Sequence, residues 1–119
     1  MKTILLVEDD DDIRELVSTI LRKDGFQVYE AENGLEALTL LDSLSPPPCL
    51  LLLDLMMPVM TGPELLSILG QRNQLSTLPV VVLSAGGQPS HAPAAKKFIR
   101  KPADPKHLLA AIHELCGGP

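Results

Sequence analysis

Four short apolar runs in this chain each end on residues able to do chemistry. Thr3 to Val7 is followed at once by Glu8 and Asp9, Leu50 to Leu53 by Asp54, Val80 to Leu83 by Ser84, and Phe98-Ile99-Arg100 by Lys101-Pro102. Asp and Glu are seldom buried without a partner, so a strand that leaves the core on a carboxylate delivers it to water, a metal or a cation. Crowded carboxylates repel one another, and a divalent ion relieves them. Mg²⁺ takes oxygen ligands in octahedral geometry and keeps several waters, leaving room for a phosphate. Lys101 adds a positive charge with three donors. Ser84 adds a hydroxyl, and Ala85, Gly86 and Gly87 after it leave backbone N–H groups open to an anion. The set suits phosphoryl transfer to a carboxylate, where catalysis is mostly alignment and charge neutralisation. Each residue also has a plainer reading: Asp54 as the cap of the next turn, Lys101 as a surface lysine, Ser84 as a turn residue, Phe98 as a core aromatic.

The elements that must position these residues alternate. After Thr3–Val7, the acids Glu8 to Asp12 lead into Ile13, Leu16, Val17, Ile20 and Leu21 at helical spacing, so the later acids open a helix whose dipole favours them. Asp24-Gly25 closes it, the glycine suiting a left-handed position. Gln27 to Glu30 reads as a second strand. Asn33 and Glu36 have capping-box spacing before a stripe of Leu35, Leu38 and Leu41. Ser45-Pro46-Pro47-Pro48 is a stiff connection to the leucine strand. Thr61 and Glu64 open a third helix with Leu65, Leu66 and Leu69 inward, and Val80–Leu83 is a strand buried on both faces. From Gln88 to Ala95 two prolines leave room for at most a turn or two of helix. Asp104-Pro105 then starts a final helix through Leu108, Leu109, Ile112, Leu115 and Cys116. Strand–helix alternation of this kind calls for a parallel sheet covered on both faces, with right-handed crossovers. All strand C-termini then share one rim, where Glu8, Asp9, Asp54, Ser84 and Lys101 converge.

The 119 residues suffice for one domain, read as 1–119. A net charge of −5 argues against a nucleic-acid surface, and the one basic cluster, Lys96, Lys97, Arg100 and Lys101, is short. No secretory leader and no membrane-spanning run is visible, which points to a soluble cytoplasmic protein. Cys49 and Cys116 have no metal spacing and read as reduced, partly buried thiols. His91, His107 and His113 read as solvent-facing.

Val7-Glu8-Asp9, Asp54 with Met57-Pro58 and Gly62 behind it, Leu83-Ser84-Ala85, and Phe98 three residues before Lys101-Pro102 occur in an order that resembles the receiver domain of bacterial two-component response regulators. The resemblance covers nearly the whole chain. It implies a flavodoxin-like (βα)5 three-layer α/β sandwich of strand order 2-1-3-4-5. It implies that Asp54 accepts a phosphoryl group from a phosphohistidine on a sensor histidine kinase or phosphotransfer protein. Asp9 directly, Glu8 through water, Asp54 and the Met56 backbone carbonyl would hold Mg²⁺. Lys101 would pair with the acyl phosphate, and Ser84 would swing to a phosphoryl oxygen while Phe98 moves into the vacated space. Met56 and Gly86 flank the path of attacking water in this family, and the Lys101–Pro102 bond is expected cis. Such a domain is a signalling switch rather than an enzyme, although it assists its own phosphotransfer and dephosphorylation.

One departure stands out. Sixteen residues separate Ser84 from Lys101, and the family usually has about five more, over one helical turn. The shortened part is the fourth helix, through which receivers dimerise or engage their output, so a monomer or a non-standard dimer is expected here. The chain stops three residues after Cys116, which suggests a stand-alone receiver acting on an unknown output protein, or a module of a longer hybrid kinase or regulator. Two other readings stay open. A phosphorylation-independent docking module would explain the altered helix. A haloacid-dehalogenase-type hydrolase would use Asp10 and Asp12 as Asp-x-Asp, but leaves the second and third strand-end signatures unexplained.

Overall fold

Residues buried on both sides need cover on both sides, and the leucine and valine runs receive it. The computed structural model describes residues 2–119 and contains five strands, β1 (Thr3–Val7), β2 (Gln27–Ala31), β3 (Leu50–Leu53), β4 (Val80–Ser84) and β5 (Lys97–Arg100). All pair in parallel, in the order β2-β1-β3-β4-β5. β3 and β4 are buried at every position, as central parallel strands must be. The register sets Val7 beside Leu53 and Leu53 beside Val82, so the central strands end together. The helices are α1 (Asp11–Lys23), α2 (Gly34–Ser43), α3 (Gly62–Gln71) and α4 (Pro105–Cys116). α2 and α3 pack with Leu5, Val7, Leu51, Leu53, Val80 and Val82 on one face. α1 and α4 pack with Ile4, Leu6, Leu50, Leu52, Val81 and Leu83 on the other. The flavodoxin-like α/β sandwich of order 2-1-3-4-5 is therefore observed.

Helix starts follow their side chains. Asp10, Asn33 and Asp104 accept hydrogen bonds from the N–H groups of Ile13, Glu36 and Lys106, and Thr61 and Glu64 close a full capping box. Gly25, at φ 104°, occupies the left-handed position that ends α1. The Lys101–Pro102 bond is cis, as is Ser45–Pro46.

The structure corrects the sequence reading at two places. Leu35, read into the inward stripe of the second helix, is 54 % exposed, as is Leu16 on α1 at 62 %. α2 turns Gly34, Ala37, Leu38 and Leu41 inward instead, because a helix lying on a sheet covers one stripe and leaves leucines beside it in water. Cys49 and Cys116 are not separate thiols. They form a disulfide with Cα atoms 5.8 Å apart, joining the entry to β3 to the last turn of α4. The pair lies 67 residues apart in the chain, and local spacing cannot announce a contact made only by folding. His113 is at the surface but engaged, its Nε2 lying 2.5 Å from Asp24 Oδ2. Between β4 and β5 the expected shortening is present: the only helical turn is a 3-10 turn at Pro89–His91, as two prolines behind a glycine pair dictate.

Candidate metal and phosphoacceptor site

β1 and β3 lie side by side, so the residues that follow them meet. Glu8, Asp9 and Asp54 each place a carboxylate oxygen within 4.8 Å of the others. Glu8 and Asp54 are buried and Asp9 is the more open. Lys101 reaches in from the end of β5, its ammonium hydrogen-bonded to Glu8 Oε1 and 3.3 Å from Asp54 Oδ2. Ser84, the buried last residue of β4, donates its hydroxyl to Asp54 Oδ1 at 2.8 Å. The Met56 N–H donates to the same oxygen at 3.3 Å. Each Asp54 oxygen is thus addressed from a different strand.

Burial pushes the Glu8 carboxyl up to about 7. The hydrogen bonds from Lys101 and the Asp10 N–H oppose that rise, and the charge of Asp54 adds to it. For Lys101, burial works against the cation, but the hydrogen bond to Glu8 and the charges of Asp54 and Glu8 win, and its pKa is raised. Lys101 therefore stands as a built-in counter-ion among acids. The donors are all oxygens, converge within one small volume, and exceed in charge the single ammonium that neutralises them. This is the donor set a hard divalent ion such as Mg²⁺ takes.

The connection from Asp54 to α3 is held close. A Cβ on Gly62 would stand 2.8 Å from the Asp54 carbonyl oxygen and from Leu55 Cα, so only glycine lets α3 begin against the backbone carrying Asp54. Met56 is exposed on this loop, and a Cβ on Gly86 would lie 3.8 Å from its Cγ. Met56 and Gly86 therefore face each other beside Asp54. Phe98 is half-buried among the residues under α2 and α3, in register with Val82, two positions from the Ser84–Arg100 pair. The Arg100 guanidinium covers its ring at 5.0 Å. In the sequence Arg100 belongs to a short basic cluster and Arg14 is one polar residue among others on α1, yet the fold brings Arg14 to donate to the Glu8 carbonyl at 2.9 Å. Neither contact has a local sequence signal, although an arginine one turn inside a helix opened by acids could have been suspected of serving them.

Comparison with known proteins agrees with the geometry. The family model of the response regulator receiver domain matches residues 4–113. The phosphate regulon transcriptional regulatory protein PhoB of Escherichia coli (strain K12) is 37 % identical over 116 residues, 93 % of this chain and 50 % of that protein. An uncharacterised 14.6 kDa protein of Leptolyngbya boryana is 35 % identical over 95 % of this chain and 88 % of its own length. The chain thus spans about half the length of most of the curated relatives it matches. Among solved structures, response regulator TrrA of Thermotoga maritima, in complex with Mg²⁺ and BeF, superposes with a TM-score of 0.85 at 29 % identity, covering 97 % of this chain and 99 % of that one. With the motifs in order, the strand order observed and the family model matched almost end to end, this chain belongs to the response regulator receiver domain family of two-component signalling.

Proposed function

We propose that Asp54 is the phosphoacceptor of this receiver domain and that the chain, read as one domain over residues 1–119, acts as a phosphorylation switch. The observation that carries the reading is the buried Asp54 carboxylate, with Ser84 on one oxygen and Lys101 on the other, beside two further acids. An Asp54 oxygen attacks the phosphorus of a phosphohistidine on a sensor kinase or phosphotransfer protein. The P–N bond breaks, and its electron pair stays on the imidazole nitrogen. Glu8, Asp9, Asp54 and the Met56 carbonyl would hold Mg²⁺, which supplies charge neutralisation for the transferring phosphoryl group. Lys101 exchanges its carboxylate partners for the acyl phosphate. Ser84, now spent on Asp54, re-aims to a phosphoryl oxygen, and Phe98 lies on the same sheet face to follow it.

The donor has a place to dock. Ile13, the exposed Leu16 and Ile20 on α1 line an apolar cavity of about 350 Å³ with Lys101 and Pro102, next to the reacting carboxylate. Among the described residues no helix is long and apolar enough to cross a membrane. With a single 3-10 turn in place of the fourth helix, the output is a protein contact other than the symmetric dimer made through that helix and β5.

The test is intact-protein mass and sizing-column elution after incubation with acetyl phosphate and Mg²⁺, with Asp54→Asn and EDTA as controls. One phosphoryl group added, lost in both controls, is the expected outcome. No addition under any condition would make this a docking module that works without phosphorylation, and a phosphorylation-induced symmetric dimer would overturn the reading of the shortened segment.

A further inference from the structure

Resting on the receiver reading, we propose that Arg14 is a positioning residue of the acidic site, whose guanidinium fixes the turn between β1 and α1 so that Glu8 and Asp9 are presented to the cation. The side chain of Arg14 is only 14 % exposed, low for an arginine on the first turn of a helix. Nη1 donates to the Glu8 backbone carbonyl at 2.9 Å. Nη2 faces Asp11 Oδ1 and lies 3.7 Å from Glu32 Oε1. Its ion pairs among the described residues are thus with acids outside the metal set, and it occupies none of the oxygens a cation would use.

The turn is also held on both sides of Asp9. The Glu8 N–H donates to the Ala31 carbonyl at 3.0 Å, at the end of β2. The Asp10 N–H donates to Glu8 Oε2 at 3.2 Å, and the Asp10 side chain caps α1. Asp9 therefore sits between two anchored residues, and Arg14 supplies the anchor on the Glu8 carbonyl. Five consecutive acids would otherwise spread apart by mutual repulsion. Arg14 joins the ends of β1 and β2 to the first turn of α1 while pairing with Asp11 and Glu32, which lie outside the metal set.

Two effects of removing Arg14 have opposite signs. Deleting a positive charge near the site attracts a divalent cation more strongly, whereas releasing the turn costs affinity, as loss of an outer-shell partner does, by about 10- to 100-fold. The sign of the change thus identifies the role. Mg²⁺ affinity is measured by calorimetry, and separately as the rise in thermal midpoint with Mg²⁺ concentration, for the parent, Arg14→Gln and Arg14→Lys. Positioning predicts that Arg14→Gln weakens Mg²⁺ tenfold or more. It also predicts that Arg14→Lys weakens it several-fold, because an ammonium keeps the charge without the fork that serves a carbonyl and two acids at once. Tighter or unchanged binding in Arg14→Gln, or parent affinity in Arg14→Lys, would overturn the proposal. Should Arg14→Gln fail to fold, the lysine variant decides alone. Acetyl phosphate labelling run in parallel separates the two claims: a parent whose Mg²⁺ affinity depends on Arg14 but which takes no phosphoryl group sinks the receiver reading and leaves the positioning role standing.

Discussion

At the C-terminal rim of the sheet, Glu8, Asp9, Asp54 and Lys101 are gathered in and beside the core, while at the opposite end Cys49 and Cys116 tie the foot of β3 to the last turn of α4. The far end is knitted by backbone as well: the Cys49 N–H donates to the Thr3 carbonyl at 2.8 Å and the Gln27 N–H to the Lys2 carbonyl at 2.9 Å. Burying like charges raises the free energy of the folded state, and under the function proposed above, uptake of a cation and a phosphoryl group, the site cannot be relieved of that cost. The chemistry and the stability of this fold are thus drawn from opposite ends of the sheet.

The largest test of that division removes the bridge. Cross-linking residues 67 apart restricts the unfolded chain by an amount worth about 4 kcal/mol. Cys116→Ser, or full reduction, is therefore expected to lower the urea-unfolding free energy by about that much, with phosphoryl uptake at Asp54 unchanged at temperatures where the variant is folded. Loss of uptake in the folded variant would show that the two ends are coupled.

The rim has its own signature in pH. Glu8 titrates near 4.5 in an unfolded chain and is pushed up to about 7 in the folded one, by burial first and by the charge of Asp54 besides. A raised carboxyl contributes stability that is complete below pH 4.5 and is lost as pH rises through 7. In EDTA, the parent should lose about 3 kcal/mol from this group between pH 4.5 and 8, and Glu8→Gln should remove that dependence. Mg²⁺ affinity runs the other way, tightening as Glu8 ionises. Equal pH profiles for parent and variant in urea unfolding would place the electrostatic cost elsewhere.

How much of this was legible follows from where each contact is made. Asp54, Glu8, Asp9, Ser84 and Lys101 could be picked out because each directly follows an apolar strand, and a parallel sheet has only one rim for such residues to share. Their separate roles could not be read from spacing, and rest on the family resemblance. Arg14 and the cysteine bridge were missed because both exist only through tertiary contact. An arginine in α1 that grips the Glu8 carbonyl looks in sequence like any polar residue on a helix. Leu35 was over-read for the converse reason: helical periodicity shows which residues share a face, while the sheet decides how much of that face is covered.

The smallest effect lies in the loop that carries Asp54 toward α3. Val59 has φ 69° and is 75 % exposed, so a β-branched side chain is held in the left-handed region with little packing to repay it. That conformation costs roughly 1–2 kcal/mol for a residue with a Cβ, and glycine escapes the cost but loses about 0.5–1 kcal/mol through its freer unfolded chain. Val59→Gly should therefore stabilise by about 0–1.5 kcal/mol, and Val59→Asn, which tolerates the left-handed region without glycine's entropy, by as much or more. Denaturant midpoints of the two variants measure it. If the strain belongs to the rim's function, both gain stability and take up phosphoryl groups more slowly than the parent at equal Mg²⁺, because Met56 on the same loop is then less firmly held. Gain without slowing would mean that this strain is incidental, and the contrast between the two ends of the sheet would rest on charge alone.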